Sequence, residues 1–207
     1  MAITVVDHPL SRHYLSILRD RTTGSAEFRR AARRLSYILT LEATSKLTET
    51  EYGLDTPLAP ATGYRPARPL VAVAVLRAGL GLIDAVVHLV PDVAIGYAGV
   101  QRDEETARPM AYYTKFPELR DRTVLVLEPM LATGGSLGWA VARVKEAGAT
   151  HVVALCVVAA PEGAARMERE HPDVEVVTAA IDSRLDDDFF IVPGLGDMGD
   201  RLFDTPP

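Results

Sequence analysis

The chain predicts an α/β fold with a mainly parallel sheet flanked by helices, and three observations predict it. Five valine-rich apolar runs of strand length lie at 70–76, 93–100, 123–127, 151–159 and 174–180. Helix-like segments at about 81–90, 136–147 and 162–170 separate several of them. Two amphipathic stretches precede the first run. A strand that is apolar at every position has to be covered on both faces, and crossover helices between parallel strands supply that cover.

Taken in order, residues 10–20 and 25–43 read as helices. In the second, Phe28, Ala32, Leu35, Leu39 and Ala43 recur at helical spacing. Ser25 stands where an N-cap would, its hydroxyl able to accept a hydrogen bond from a first-turn amide. Pro57, Pro60, Gly63, Pro66 and Pro69 then mark turns and extended chain. The five apolar runs follow, and no internal repeat, low-complexity tract or linker divides them, so one domain over residues 1–207 is expected. In sheets of this kind ligands bind beyond the carboxyl ends of strands, so chemistry is expected just after each run.

Composition narrows the classes. With 207 residues, 48% hydrophobic and 24% charged, the chain can bury a full core. No apolar run reaches the roughly 18 residues of a membrane span, and residues 1–9 lack the basic and apolar regions of a signal peptide. A cytoplasmic protein without a membrane partner is expected. The single cysteine, Cys156, excludes a disulfide framework and a cysteine-based zinc site within one chain. The formal net charge of -6 gives no general field for a polyanion, so nucleic acid is not an expected partner and any anion site has to be local. His8, His13, His88, His151 and His171 are scattered without metal-ligand spacing and read as structural.

The segment Glu128-Pro129-Met130-Leu131-Ala132-Thr133-Gly134-Gly135-Ser136 follows the strand 123–127 and opens the next helix. It has the layout of a phosphate cradle: two glycines for close backbone approach, Thr133 and Ser136 hydroxyls as donors, and a helix N-terminus with free amides. Without the lysine of the nucleotide-triphosphate loop or the Rossmann glycine spacing, it suits a monophosphate. Glu128 at the strand end can accept hydrogen bonds from a sugar diol. A strand-to-helix turn capped by its own hydroxyls has the same residues, so the segment alone does not decide.

Arg77-Ala78-Gly79-Leu80-Gly81 follows the strand 70–76, where an arginine can pair with phosphate oxygens and Gly79 permits backbone shapes closed to other residues. A surface arginine is the plain alternative. The charged stretch from Gln101 to Pro109, leading into Tyr112-Tyr113-Thr114-Lys115-Phe116-Pro117, is either a solvated excursion or a lid whose Arg102 and Lys115 bring positive charge to a polyphosphate. Near the end, Ile191-Val192-Pro193-Gly194-Leu195-Gly196-Asp197-Met198-Gly199-Asp200-Arg201 can offer bare main-chain groups to a small planar base, or can be a turn whose aspartates satisfy its own amides.

Together these segments resemble the uracil phosphoribosyltransferase family almost end to end. Val5-Val6-Asp7-His8-Pro9-Leu10, Leu18-Arg19-Asp20, Glu27-Phe28-Arg29 and Glu42-Ala43-Thr44 are similar to its N-terminal region. Leu76 to Gly81, Arg102-Asp103-Glu104-Glu105-Thr106, Pro129 to Ser136 and Pro193 to Asp197 match its four functional segments in order. The resemblance implies a type I phosphoribosyltransferase core with a small C-terminal hood and a flexible lid loop. It implies transfer of a phosphoribosyl group from 5-phosphoribosyl-1-diphosphate (PRPP) to uracil, giving UMP and diphosphate.

By position, the resemblance places PRPP on Arg77, Arg102, Asp197 and the run Glu128, Pro129, Met130, Leu131, Ala132, Thr133, Gly134, Gly135 and Ser136, with Arg77, Arg102 and Asp197 catalytic. It places uracil on Ile191, Gly196, Asp197 and Met198. It further implies magnesium (Mg2+) carried by the diphosphate, GTP as an effector, and a homodimer or higher homo-oligomer. Two positions depart from the family pattern: Glu128 stands where aspartate is usual, and Met198 where a small residue is usual. Two competing readings keep the fold. One is a non-catalytic regulator that senses nucleotide; the other is an enzyme of the same core acting on another base such as hypoxanthine.

Overall fold

The computed structural model describes residues 3–102 and 109–206. Of Arg102 only the backbone, at the end of a strand, is described, and Asp103 to Arg108 lie outside the described residues.

The chain runs β1 (Ile3–Val5), α1 (Pro9–Arg19), α2 (Ser25–Thr44), β2 (Glu49–Asp55), β3 (Pro60–Pro66), β4 (Leu70–Leu76), α3 (Leu80–Leu89), β5 (Ala94–Arg102) and β6 (Pro109–Lys115). It continues with β7 (Thr123–Leu127), β8 (Met130–Leu131), α4 (Gly135–Glu146), β9 (His151–Ala159), α5 (Pro161–Glu170), β10 (Glu175–Ile181), β11 (Arg184–Leu185), β12 (Ile191–Val192) and α6 (Met198–Phe203). The central sheet has the order β1-β10-β9-β7-β4-β5-β6, with β8 extending the line of β7 along β9. All its pairings are parallel except β5 with β6.

The five apolar runs are β4, β5, β7, β9 and β10, and the reason for their unbroken apolarity is visible in the core. Alternate residues of a strand face opposite sides of a sheet. Leu70 and Ala72 of β4 and Leu125 and Leu127 of β7 join one cluster with Leu15, Leu18, Phe28, Leu35, Leu39, Leu82 and Val86 of α1, α2 and α3. Val71, Val73 and Val75, with Val124 and Val126, join a second with Leu137, Val141 and Val144 of α4 and Met167 of α5. Both faces are closely covered, and the few polar residues buried there, such as Ser36, Thr40 and Thr178, donate their hydroxyls to backbone carbonyls. Leu39, Leu82 and Val86 are core, whereas Leu80 is 38% exposed.

Several expectations change. The N-cap of α2 is Gly24, without a side-chain cap; Ser25 is already helical and its hydroxyl donates to Asp204 Oδ1 at 2.7 Å. Gly79 has ordinary right-handed helical angles, so backbone freedom is not its purpose. A Cβ there would lie 2.4 Å from the Leu127 carbonyl oxygen and 2.6 Å from that of Val75, so glycine is needed for close approach. The proline-marked stretch is turns and extended chain as expected: Pro57, Pro60, Gly63 and Pro66 lie in an antiparallel hairpin, β2 with β3, exposed along nearly its whole length, and Pro69 directly precedes β4. The hairpin's prolines occupy the ends of β3 and the turn, which kept them from breaking the pairing. Tyr112 to Lys115 belong to the edge strand β6, antiparallel to β5.

Candidate active site

The order of strands fixes where a ligand can sit. From β4 the chain moves to β5 on one side and returns at β7 on the other, so β4 and β7 flank the point where the winding reverses. Just beyond their carboxyl ends lies a cavity of about 570 Å³. Its lining includes Leu76, Arg77 and Ala78 after β4, Glu128 and Met130 after β7, and Ala132 and Ser136 at the start of α4. The opposite wall is Asp188, Phe189, Phe190 and Ile191, then Gly196, Asp197, Met198 and Gly199. Val100, Gln101 and Tyr112 of the β5–β6 pair close a third side. Residues separated by more than a hundred positions thus meet in one hollow.

Arg77 is about half exposed, and its Nη2 lies 3.0 Å from Asp200 Oδ1. Thr205 Oγ1 donates to the same carboxylate oxygen at 2.7 Å and receives a weaker contact from Arg77 Nη1 at 3.4 Å. The guanidinium is therefore braced at the rim by α6 and its exit. The peptide between Leu76 and Arg77 is cis. Asp197 caps α6, its Oδ1 accepting from the Asp200 amide at 2.8 Å. The aspartate-rich turn therefore does satisfy one of its own amides while still lining the cavity.

Glu128 is buried, at 8% exposure, and its amide donates to Leu155 O at 3.1 Å, which keeps it in line with the sheet. Behind it, burial first and the charge of Glu128 second push the Cys156 thiol well above its ordinary range. Cys156 stays protonated and is no nucleophile. Among the described residues, no group of three or more histidine, cysteine, aspartate or glutamate side chains has the arrangement of a metal cage.

Of the cradle run, Glu128, Met130, Ala132 and Ser136 line the cavity, and Pro129, Leu131, Thr133, Gly134 and Gly135 do not. Pro129 O accepts from the amides of Val157 and Val158, and Leu131 is fully buried with its carbonyl on Ala160 N, so both serve the sheet. Gly134 is the N-cap of α4 at φ +76°, a left-handed turn suited to glycine, and its missing side chain faces Gly163 and Arg166 of α5. The Thr133 hydroxyl lies 3.4 Å from the Gly135 amide.

Ile191, Gly196, Asp197 and Met198 all line the cavity. Met198 is 1% exposed and also belongs to the core cluster that contains Leu18, Phe28 and Leu35 of α1 and α2. Lys115 is not among the lining residues: it pairs with Tyr97 in the first half of β5, because an antiparallel β6 runs away from the cavity as it proceeds. The side chain of Arg102 lies outside the described residues.

Sequence reading missed Asp188, Phe189, Phe190 and Tyr112. The 186–190 loop is built by Asp186, whose side chain accepts from the amides of Asp188 at 3.0 Å and Phe190 at 2.8 Å. That leaves Phe189 46% and Phe190 49% exposed at the cavity mouth. Two adjacent aromatics after three aspartates, just before the glycine-rich segment, were the available signal.

Comparison with known proteins agrees with this geometry. The family model described as uracil phosphoribosyltransferase matches residues 5–205. The chain is 48% identical over 205 residues to the uracil phosphoribosyltransferase of Paracoccus denitrificans, covering 98% of this chain and 97% of that one. It is 46% identical over 207 residues to that of Thermus thermophilus, covering 99% and 100%. Among solved structures, a protein of Aquifex aeolicus superposes with a TM-score of 0.93 at 34% identity, covering 97% of each chain. An adenine phosphoribosyltransferase from Trypanosoma brucei shares the fold alone, with a TM-score of 0.57 at 14% identity over 86% of this chain and 82% of that one. A match over residues 5–205, with the motif-bearing segments after β4, after β7 and before α6 gathered around one cavity at the sheet's switch point, makes this chain a member of the uracil phosphoribosyltransferase family.

Proposed function

We propose that this protein transfers the phosphoribosyl group of PRPP to uracil, giving UMP and diphosphate. The observation that carries the reading is the meeting, in one cavity of about 570 Å³, of Arg77, Glu128 and Ser136 from the sheet's carboxyl edge with Ile191, Gly196, Asp197 and Met198 from the opposite wall. The first group suits a phosphorylated sugar and the second a flat base, so the two substrates meet between them.

In this reading the start of α4, with Ser136, holds the 5-phosphate, and Glu128 accepts from the ribose hydroxyls. Arg77 and Arg102 hold the diphosphate. The bond from ribose C1 to the diphosphate oxygen breaks with its electron pair leaving on diphosphate, positive charge develops on the sugar, and a uracil ring nitrogen forms the new bond to C1 from the other face. Preorganised charge on the leaving group and fixed placement of the base are the protein's contributions. Main-chain groups of Gly196, Asp197 and Met198 face the uracil edge; cytosine, with its changed donor and acceptor pattern, would leave them unpaired. Magnesium enters as part of the diphosphate substrate, a cation that keeps phosphate oxygens and waters with one or two carboxylates, and Glu128 and Asp197 are carboxylates of the lining.

We further propose a homodimer or larger assembly. The β2–β3 hairpin supports it, since an isolated two-stranded ribbon is marginal in water and this one displays Tyr52, Leu58 and Tyr64. A cytoplasmic setting fits the buried Cys156 thiol, and none of the described helices is long and apolar enough to cross a membrane. GTP as activator rests on family resemblance. The deciding experiment is UMP formation from uracil and magnesium PRPP, with cytosine, hypoxanthine and orotate in parallel and GTP added to a second set. Product from uracil alone is expected. A preference for hypoxanthine, or no product from a folded protein with any base, would overturn the reading.

A further inference from the structure

The Leu18-Arg19-Asp20 segment has no part in the reaction as described above, yet it lies against the loop that faces the base. Arg19, at the last turn of α1, spans both carboxylate oxygens of Asp182, with Nη1 to Oδ2 at 2.7 Å and Nη2 to Oδ1 at 2.6 Å. Its Nη1 also donates to Gly194 O at 2.8 Å. Asp182 Oδ2 in turn accepts from the Gly194 amide at 2.8 Å. Both backbone groups of Gly194 are thus held by one ion pair, whose arginine side chain is 25% exposed and whose aspartate is 5% exposed.

The next carbonyl is held the same way. Arg201 Nη1 donates to Leu195 O at 2.8 Å and also to Leu18 O, while its Nη2 donates to Asp20 O at 2.6 Å. Its guanidinium sits 4.3 Å above the ring of Phe28 in α2. Gly194 itself has φ +57°, and a Cβ there would lie 2.0 Å from Ile191 O, so the loop turns back on itself at this residue. Two consecutive carbonyls are therefore turned toward the α1 end by charged donors, and the residues that follow, Gly196 to Met198, line the cavity.

We propose that Arg19 and Asp182, with Arg201, are positioning residues for the base: they set the main chain of Gly196–Met198 at the spacing that uracil recognition requires. The N-terminal helix pair is the template on which the C-terminal base loop is shaped. A planar guanidinium fork meets three acceptors here, which a lysine ammonium, with one nitrogen, cannot reproduce. Recognition by main chain has no side chain to adjust, so its accuracy depends on the groups that hold that chain in place.

This inference rests on the reading of the site as one for uracil and PRPP, and the test separates the two. Arg19→Lys and Asp182→Asn would be assayed for KM of uracil and KM of PRPP, beside wild type and Lys145→Ala, a change at a surface ion pair with Asp173 outside the cavity lining. KM does not depend on the fraction of enzyme folded, so partial unfolding lowers the apparent kcat only. The expected result is a rise of about tenfold in the uracil KM in both site variants, with PRPP KM within about twofold and Lys145→Ala like wild type. Cytosine, supplied at high concentration, should also become a relatively better competitor of uracil. Equal movement of both KM values, or movement of neither, in active variants would overturn the proposal. Absence of UMP from wild type itself would instead remove the reading of the site, and this inference with it.

Discussion

At the scale of single residues, the site is built from side chains whose cost is small and whose reach is specific. Arg77 is about half exposed and its ion pair with Asp200 is at the rim, so the pair contributes little to stability. Its removal should instead appear in the rate: Arg77→Ala is expected to lower kcat by about 100-fold, as loss of one charge-stabilising donor does, with little change in Tm. Arg102→Ala should behave alike, and an unchanged rate in steady-state assays would remove either arginine from the diphosphate site. Gly79→Ala makes the opposite pattern. With two carbonyl oxygens within 2.6 Å of the new methyl, the start of α3 or the ends of β4 and β7 have to shift, and a loss of about 1–3 kcal/mol is expected by denaturant unfolding. A stable Gly79→Ala protein would show that α3 can shift without disturbing the sheet.

At the scale of elements, α4 and α5 are joined by His171, whose Nε2 lies 3.0 Å from Gly138 O. Burial first, then the Lys145 charge, lowers its pKa below the ordinary 6.5, against the pull of the Gly138 carbonyl, Glu170 and Asp173. The unfolded chain therefore takes up the proton at higher pH than the folded one. Stability is lost as pH falls through 6.5 toward the folded value, and the loss levels off below it. His171→Gln, which keeps a donor, should show a smaller fall in Tm between pH 7.5 and pH 5.5 than wild type. Equal slopes in a thermal-shift series would exclude His171 as the source. The same scale explains which elements were legible. The strands β4, β7 and β9 were read to their ends because burial on both faces makes every residue of β4, and every residue after the first of β7 and β9, apolar. The β2–β3 hairpin was not, since it is exposed along nearly its whole length and its residues carry no core pattern.

For the molecule as a whole, that hairpin is the feature a single chain leaves unexplained. Replacing 51–65 with a short glycine-rich turn should convert a larger assembly to monomer in light scattering coupled to size exclusion, with the central sheet intact by circular dichroism. An unaltered mass would assign the contact to another surface. The cavity, by contrast, needs the full chain: strands β4 and β7 bring Arg77 and Glu128, and the C-terminal loop arrives from the other side on α1 and α2.

Apolar periodicity was enough to mark the fold class, and the chemistry of strand ends pointed to Arg77, Glu128 and Ser136, because burial and turns are recorded directly in the order of residues; Ile191, Gly196, Asp197 and Met198 were marked by the family resemblance. Only the tertiary structure decided which members of the cradle face the cavity, that Gly79 is a contact and not a hinge, that Lys115 runs away from the site, and that Arg19 and Arg201 hold the carbonyls of Gly194 and Leu195. Each of those depends on distances between segments far apart in the chain, such as the 175 positions from Arg19 to Gly194. Such distances are set by how the helices and sheet pack, and an arginine at a helix end carries the same local pattern whether it meets water or a distant carbonyl.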